Sequence, residues 1–578
     1  MAVGERTARK PVEIAEVRVL DGPNLYFTRP AVKVTLDVPG WLSAPEAKVE
    51  AAAKRVGLPA SQSSPAQPGP PRTEQRMRFV VRVAAHLTRS LASASGTRLA
   101  VRSRQGPEPG SIVVAFPWRR RNGAEAFGRE LGVLMGAVLA SSRPPERLYR
   151  DAIERIARLD PGPPPAVPVP EIPVVAVTGT NGKTTTVRLL SFMARTAGKK
   201  VAYSSTDGVY RQGRLVEEGD YSGFGGAGKA LGQPGVEVAV LETARGGILL
   251  RGIGTMHNDA AVVTNVSADH LGLLGIRTLD QLAEVKSAIT KITRPDGWDV
   301  LNADDPRVLA MRRGISGRPW LFSTDQDHPA LRSVLSEGGR GITVVDGRIA
   351  VLLPGRAPRQ LVPLVDVPVT LAGISRNNIQ NALAATAAGL AIGLPEKAVV
   401  QALRTFVLDP ETNPGRANLF EANKVIVVAD YAHNEAGIQG LVEVCRALRR
   451  PGAQFWMAFT TAGDRSDEIL HGMGYLAGRG ADRVVIAELL GYLRGRDRQD
   501  LVRRLMAGVE DGGARDVPVF VDEVHALEWM LDRARPHDVI AVTPLVQRPE
   551  IFALLKRRKA RRIGPKRLRQ LVRSAATA

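Results

Sequence analysis

At 578 residues, with 44% apolar and 24% charged side chains, the chain has material for about three to five domains, which excludes a single small binding module and wholesale disorder. Its one cysteine, Cys445, excludes an internal disulfide and a thiolate metal cage. The net charge of +21 invites a nucleic-acid reading, but ten of those charges fall between Lys556 and Arg573, where no acid occurs, and the rest is a diffuse excess of arginine, 64 against 15 lysines.

The opening MAVGERTARKPVEIAEV lacks an apolar core of signal-peptide length, and nowhere do about 18 uncharged apolar residues run together, so the sequence predicts a cytoplasmic chain that does not cross a membrane. Within residues 1–160 the runs VEIAEVRVL and VKVTLDV read as strands, and residues 76–95 and 124–141 as helices, giving a smaller α+β N-terminal region without a chemical motif. Pro-rich stretches at 61–71 and 161–170 read as semi-rigid linkers, the second marking a domain boundary. After it the pattern changes. IPVVAVT (172–178) is an apolar run suited to burial on both faces of a parallel sheet, residues 183–197 read as a helix, strands follow at 236–242 and 260–266, and a helix at 279–293. A second alternating series starts at KVIVVADYA (424–432) and continues through strands at 453–459, 482–486, 517–521 and 538–543. The predicted fold class is α/β: a P-loop doubly wound central domain over 171–410 and a Rossmann-like α/β C-terminal domain over 411–555, followed by a basic tail over 556–578. Such a block of like charge reads as a solvated extension.

The strongest local signal is the loop Thr178-Gly179-Thr180-Asn181-Gly182-Lys183-Thr184, set between a buried strand and a helix. Backbone N–H groups, the helix N-terminus and Lys183 converge positive potential on a nucleotide's phosphates, and Thr184 is placed to offer its hydroxyl to Mg²⁺. The usual pattern G-x-x-x-x-G-K-[ST] is not met, because Val177 stands where its first glycine belongs.

That variant loop resembles the one in the Mur ligase family, ATP-dependent enzymes that join a carboxylate to an amine. LETARGGILLRGIG from Leu241, VTNVSADHLGLLGI from Val263, VLNADDP from Val300, NPGRANLF from Asn413 and DYAHN from Asp430 are most similar to the Mur-type half of the cyanophycin synthetases. VRVLDGPNLYFTRPAVKV resembles the opening of the same group. That group carries an ATP-grasp module between the two parts, where this chain has only a short linker, so the resemblance covers the Mur-type reaction alone.

The resemblance implies roles for individual residues. Thr178, Gly179, Thr180, Asn181, Gly182, Lys183, Thr184 and Thr185 would hold the phosphates of ATP. Glu242 would bind the Mg²⁺ held with Thr184, and His270 a second Mg²⁺. Lys286 aligns with a lysine that several members carbamylate, which turns an ammonium into a carboxylate. Asn378, with Asn381, would lie near the nucleotide. Arg416 would reach the γ-phosphate, which suits a guanidinium fork, and Asp430 would accept hydrogen bonds from the ribose. Lys183, His270, Lys286 and Arg416 are the expected catalytic set. Glu435 replaces the proline usual after DYAHN.

The implied reaction is amide formation through an acyl phosphate, with release of ADP and phosphate, attaching an amino acid to an amino-acid or peptide carboxylate. The alternative is an ATP-binding regulatory or partner subunit without ligase activity of its own. The partners in view are amino-acid or peptide substrates, an acidic polymer, a separate ATP-grasp protein and further copies of the chain, with neither nucleic acid nor membrane expected. For the amine, Asp464, Asp467 and Glu488 would suit a cationic substrate and the neighbouring arginines an acidic one; the sequence leaves both open.

Overall fold

A computed structural model describes residues 10–59, 66–269 and 271–576. The N-terminal domain is a four-stranded antiparallel sheet in the order Glu13–Leu20, Ala31–Asp37, Ser111–Pro117, Arg102–Gln105. Helices Glu74–Ala94 and Arg121–Ala140 bury their apolar stripes with it, packing Phe79, Leu87 and Leu131 around Trp41 and Phe116. Both expected helices are present; the strands Arg102–Gln105 and Ser111–Pro117 add a half-sheet that the sequence reading did not resolve.

The Pro-rich linker is extended and docked at both ends. Its Pro161 and Pro163 carbonyls accept the N–H groups of Asn122 and Arg121, at 3.0 Å each, and the Pro168 carbonyl accepts that of Met256, also at 3.0 Å. Proline lacks an N–H but keeps its carbonyl, so this segment can only be held as an acceptor, and it is.

Eleven strands form the middle sheet. Seven run parallel in the order Arg340–Val345, Arg318–Phe322, Thr293–Asn302, Asn258–Val263, Val174–Thr178, Val238–Glu242, Val201–Ser205, and an antiparallel pair closes each edge. The phosphate-loop strand Val174–Thr178 lies at its centre, buried on both faces. Its register places Val177 beside Glu242 and Thr178 beside Val263, so three strand ends open on one crevice at the carboxyl edge, where ligands of doubly wound sheets gather. Helix Lys183–Thr196 follows the loop and is packed between this sheet and helix Arg376–Ala391, whose Ala382, Ala384, Ala385, Ala387 and Ala388 bring the two close.

The C-terminal domain has five parallel strands in the order Val519–Phe520, Arg483–Ala487, Phe455–Phe459, Val539–Val542, Val425–Ala429, followed by antiparallel Asn418–Ala422 and Arg561–Arg562. The last two elements correct the expectation of a solvated tail. Arg561–Arg562 pairs with Asn418–Ala422, and helix Pro565–Ala576 buries Leu568 and Leu571 in the core. The charge count masks an apolar stripe at Leu568, Leu571 and Val572, spaced i, i+3, i+4. Arg567 forks onto Glu421 and Arg562 contacts Glu411, while Arg569 reaches the Val365 carbonyl of the middle domain at 3.3 Å and lies 3.5 Å from Asp366. Among the described residues no helix is long and apolar enough to cross a membrane.

Candidate active site

A cleft of about 470 Å³ lies between the middle and C-terminal domains, floored by residues 179–185. Two glycines shape the loop. Gly179 has φ +152°, and a Cβ there would collide with the Thr264 hydroxyl; Gly182 has φ +84°, and a Cβ would collide with Asn381 Oδ1. Strand end and loop are stitched to the 264–267 segment: Thr180 N–H donates to the Asn265 carbonyl at 3.0 Å, Asn181 N–H to Asn265 Oδ1 at 2.9 Å, and Thr264 Oγ1 to the Asn181 carbonyl at 2.7 Å. Helix Lys183–Thr196 starts at Gly182 without a side-chain cap, so its first N–H groups stay available to an anion. Lys183 Nζ donates to the Thr180 carbonyl at 2.9 Å, which holds the ammonium over the loop.

Thr184 donates its hydroxyl to Glu242 Oε2 at 2.9 Å, and Thr206 donates to Oε1 at 2.8 Å. Glu242 is 2% exposed and ends its strand at the crevice. The sequence pairing of Thr184 with Glu242 is therefore a direct contact, whereas Thr206, in the turn between two strands, carries no local signature. Among the described residues no cluster of three or more His, Cys, Asp or Glu is arranged to cage a metal. His270 lies outside the described residues.

The C-terminal domain faces the loop with arginines. Arg416 lies 4.5 Å from the ring centroid of Tyr431, and Arg548 5.5 Å from the same ring. The Nε of each is buried without a hydrogen-bond partner among the described residues. Arg548 also reaches Asp207 Oδ1 at 3.3 Å, while Arg188, on the helix behind the loop, donates to Asp207 Oδ2 at 2.7 Å and to Asn413 Oδ1 at 3.0 Å. Burial pushes the Asp207 carboxyl up, but Arg188, then Arg416 and Arg548, outweigh it and hold the group below the ordinary aspartate value. A reciprocal amide pair, Asn181 with Asn434 at 3.0 and 3.1 Å, ties the loop itself to the C-terminal domain.

Lys286 is buried against the cleft. Burial first, and the charge of Lys183 second, drive its ammonium well below lysine's ordinary value, which favours the uncharged amine. Thr178, Asn378 and Asp430 stand back from the cleft. Thr178 is fully buried at the strand end; Asn378 reaches the loop only through Asn381, whose amide it accepts at 3.0 Å; Asp430 accepts the Ala417 N–H at 2.8 Å, and burial raises its carboxyl against the pull of Arg416. Asp207, Asp220, Arg245, His433, Tyr492, Arg494 and Arg548 line the cleft unforeseen. Each comes from a turn or helix end without a recurring spacing; the GGIL run after Arg245 and the DYAHN run were the available pointers for two of them.

Two family models match the chain, the Mur ligase middle domain over residues 177–389 and the Mur ligase glutamate ligase domain over 415–545, together more than half of it. Cyanophycin synthetase from Crocosphaera subtropica is 38% identical over 374 residues, 64% of this chain and 42% of that protein, so the match spans less than half of the relative's length. UDP-N-acetylmuramoyl-L-alanyl-D-glutamate–2,6-diaminopimelate ligase from Alkalilimnicola ehrlichii is 28% identical over 478 residues, covering 77% of this chain and 88% of the relative. A solved bifunctional folylpolyglutamate synthase/dihydrofolate synthase with Mn, AMPPNP and L-glutamate bound matches 66% of this chain and 89% of its own at 18% identity, with a TM-score of 0.49.

Proposed function

The chain is a Mur-ligase-like protein carrying the middle and C-terminal domains of that family, and on this premise we propose that it is an ATP-dependent ligase that joins a carboxylate to an amine. The observation that carries the reading is the convergence on one cleft of the glycine loop, Lys183 and the Thr184–Glu242 pair from one domain with Arg416 and Arg548 from the other. The loop fits a nucleotide's phosphates: the helix that follows it starts without a side-chain cap, and the Nε groups of Arg416 and Arg548 are buried without an acceptor among the described residues. Thr184 and Glu242 fit Mg²⁺, which takes one or two protein oxygens and fills its shell with water and phosphate oxygens. Bound there, it would neutralise phosphate charge.

A carboxylate is a poor electrophile, so activation comes first. One oxygen of the acid substrate attacks the γ-phosphorus, the bond to the β-phosphate oxygen breaks, and ADP leaves. The amine, as a free base, then attacks the acyl carbon, its nitrogen gives up a proton to solvent, and the bond from the acyl carbon to the phosphate oxygen breaks to release inorganic phosphate. Lys183 and Arg416 stabilise the charge that spreads over the equatorial oxygens during the first step. An uncharged amine is the form that adds CO₂, and the lowered proton affinity of Lys286 favours it; a carbamate there would place an anion beside Lys183, reversing its effect on the metal end of the cleft. Contacts from both domains to the loop exclude water from the acyl phosphate when the cleft is closed.

A phosphate-release assay with a panel of amino acids and peptides as acids and amines tests the reading. Release that depends on both an acid and an amine, and disappears in Lys183→Met, is expected; nucleotide binding without such release assigns the site to a regulatory protein instead.

A further inference from the structure

Resting on the ligase reading, we infer that Glu523 is a positioning residue for the phosphate end of the cleft: it holds the 545–547 turn so that Arg548 stands in the cleft. The turn leaves strand Val539–Val542 at the carboxyl edge of the C-terminal sheet and runs into helix Arg548–Arg557. Leu545 and Arg548, at its two ends, both line the cleft, and Glu523 stands behind them. Glu523 opens helix Glu523–Arg533, is 1% exposed, and has no arginine, lysine or histidine at ion-pair distance among the described residues. A buried carboxylate without a counter-charge persists only where hydrogen-bond donors replace its water. Here the turn supplies them. The Leu545 N–H donates to Oε1 at 2.6 Å, the Gln547 N–H to Oε2 at 2.8 Å, and the Val546 N–H lies 3.3 Å from both oxygens. Burial pushes the carboxyl up, and the N–H groups of Gln547, Leu545 and Val546 draw it back.

The Gln547 side chain closes the latch from the other side, its Oε1 accepting the Val524 N–H at 3.2 Å. Two helix starts therefore cap each other, because helix Arg548–Arg557 receives no hydrogen bond from the side chain of its own N-cap residue. Arg548 is the next residue along. Its guanidinium lies 5.5 Å from the ring centroid of Tyr431 and reaches Asp207 Oδ1 at 3.3 Å, while its Nε is buried without a partner among the described residues. A guanidinium fork binds phosphate oxygens by direction as well as by charge, so the backbone from which it springs has to be fixed. The carboxylate that accepts all three N–H groups of the turn fixes it. An amide in its place keeps the shape but has one acceptor oxygen, and it turns an NH₂ group toward a backbone donor.

Calorimetric titration of the full chain with AMPPNP and Mg²⁺ tests the link as a double-variant cycle. Arg548→Ala is expected to bind at least tenfold more weakly than wild type, Glu523→Gln to lose a similar factor, and the double variant to lose no more than Arg548→Ala alone, since the latch then positions nothing. Glu523→Asp, which keeps the charge, is expected to recover part of the loss. Wild-type affinity in Arg548→Ala or in Glu523→Gln, losses that multiply in the double variant, or Glu523→Asp as weak as Glu523→Gln overturns the inference alone. Failure of the wild-type chain to bind AMPPNP overturns the ligase reading beneath it. Should far-ultraviolet circular dichroism show Glu523→Gln unfolded, the cycle is run with Gln547→Ala, which cuts only the half-buried side of the latch. A loss of binding that disappears in the Arg548→Ala background supports the inference; no loss, or one that persists there, overturns it.

Discussion

Asp207→Asn removes one negative charge and keeps the side chain's shape. What it leaves behind is Arg188, 3% exposed, with its Nε unpartnered and its remaining donor on the neutral Asn413. Removing one partner of a buried ion pair costs about 3–5 kcal/mol, because the surviving charge stays desolvated. Arg548, less deeply buried at 20% exposure, adds a smaller share. Unfolding of the variant in urea at pH 7, followed by far-ultraviolet circular dichroism, is therefore expected about 3–5 kcal/mol below wild type. The double variant Arg188→Met/Asp207→Asn is expected to recover about 1–3 kcal/mol relative to the sum of the two single costs, since it no longer buries a lone charge. A carboxylate held below its ordinary value contributes stability above that value and loses it as pH falls through the folded one. The gap between wild type and Asp207→Asn must then narrow below pH 3.8. A single-variant cost under about 1 kcal/mol, or strict additivity in the double variant, would refute the reasoning.

Other expectations concern the loop, the buried lysine and the C-terminal domain. Gly182→Ala forces a left-handed backbone on alanine, at about 1–2 kcal/mol, and sets a methyl against Asn381; AMPPNP titration should show binding lost while the thermal transition moves only a few degrees, and wild-type affinity would contradict the cradle. In bicarbonate-free buffer Lys286→Met is expected to stabilise the fold at pH 7. Burial holds the folded lysine below its unfolded value, so wild-type stability rises with pH between the two values, and the advantage of methionine should shrink as pH approaches 10.5. With ¹³C-bicarbonate, a carbamate carbon resonance should appear in wild type and be missing in Lys286→Met. Arg416→Lys keeps the charge but loses the planar fork, and phosphate release is expected to drop about tenfold or more, with the larger part of the change in kcat.

The sheet was readable because its strands are continuous apolar runs. Val174–Thr178 and Val238–Glu242 are buried on both faces, and no amphipathic alternation competes with that pattern. The phosphate loop was readable because two glycines, a lysine and threonines sit in fixed order between strand and helix. Arg548 and Asp207 were not, because their meeting is 341 residues apart in sequence and made by two domains folding onto each other. Arg548 also lies beyond residue 545, where the family model stops. The tail was misread for a different reason: ten basic residues dominate a count, while the three apolar positions that dock the helix are visible only at helical spacing.

That docked helix bears on how the middle and C-terminal domains are held together. The chain passes from the middle to the C-terminal domain through residues 406–417, and this crossing is straddled by the final segment, which holds Glu411 with Arg562 at one point and the 365–366 turn of the middle domain with Arg569 at another. The final segment thus ties the two domains together beside the crossing between them. Its ties are made by surface arginines, which salt weakens within a Debye length of about 8–10 Å. The positive charge of the C-terminal segment therefore makes the junction between the domains sensitive to ionic strength.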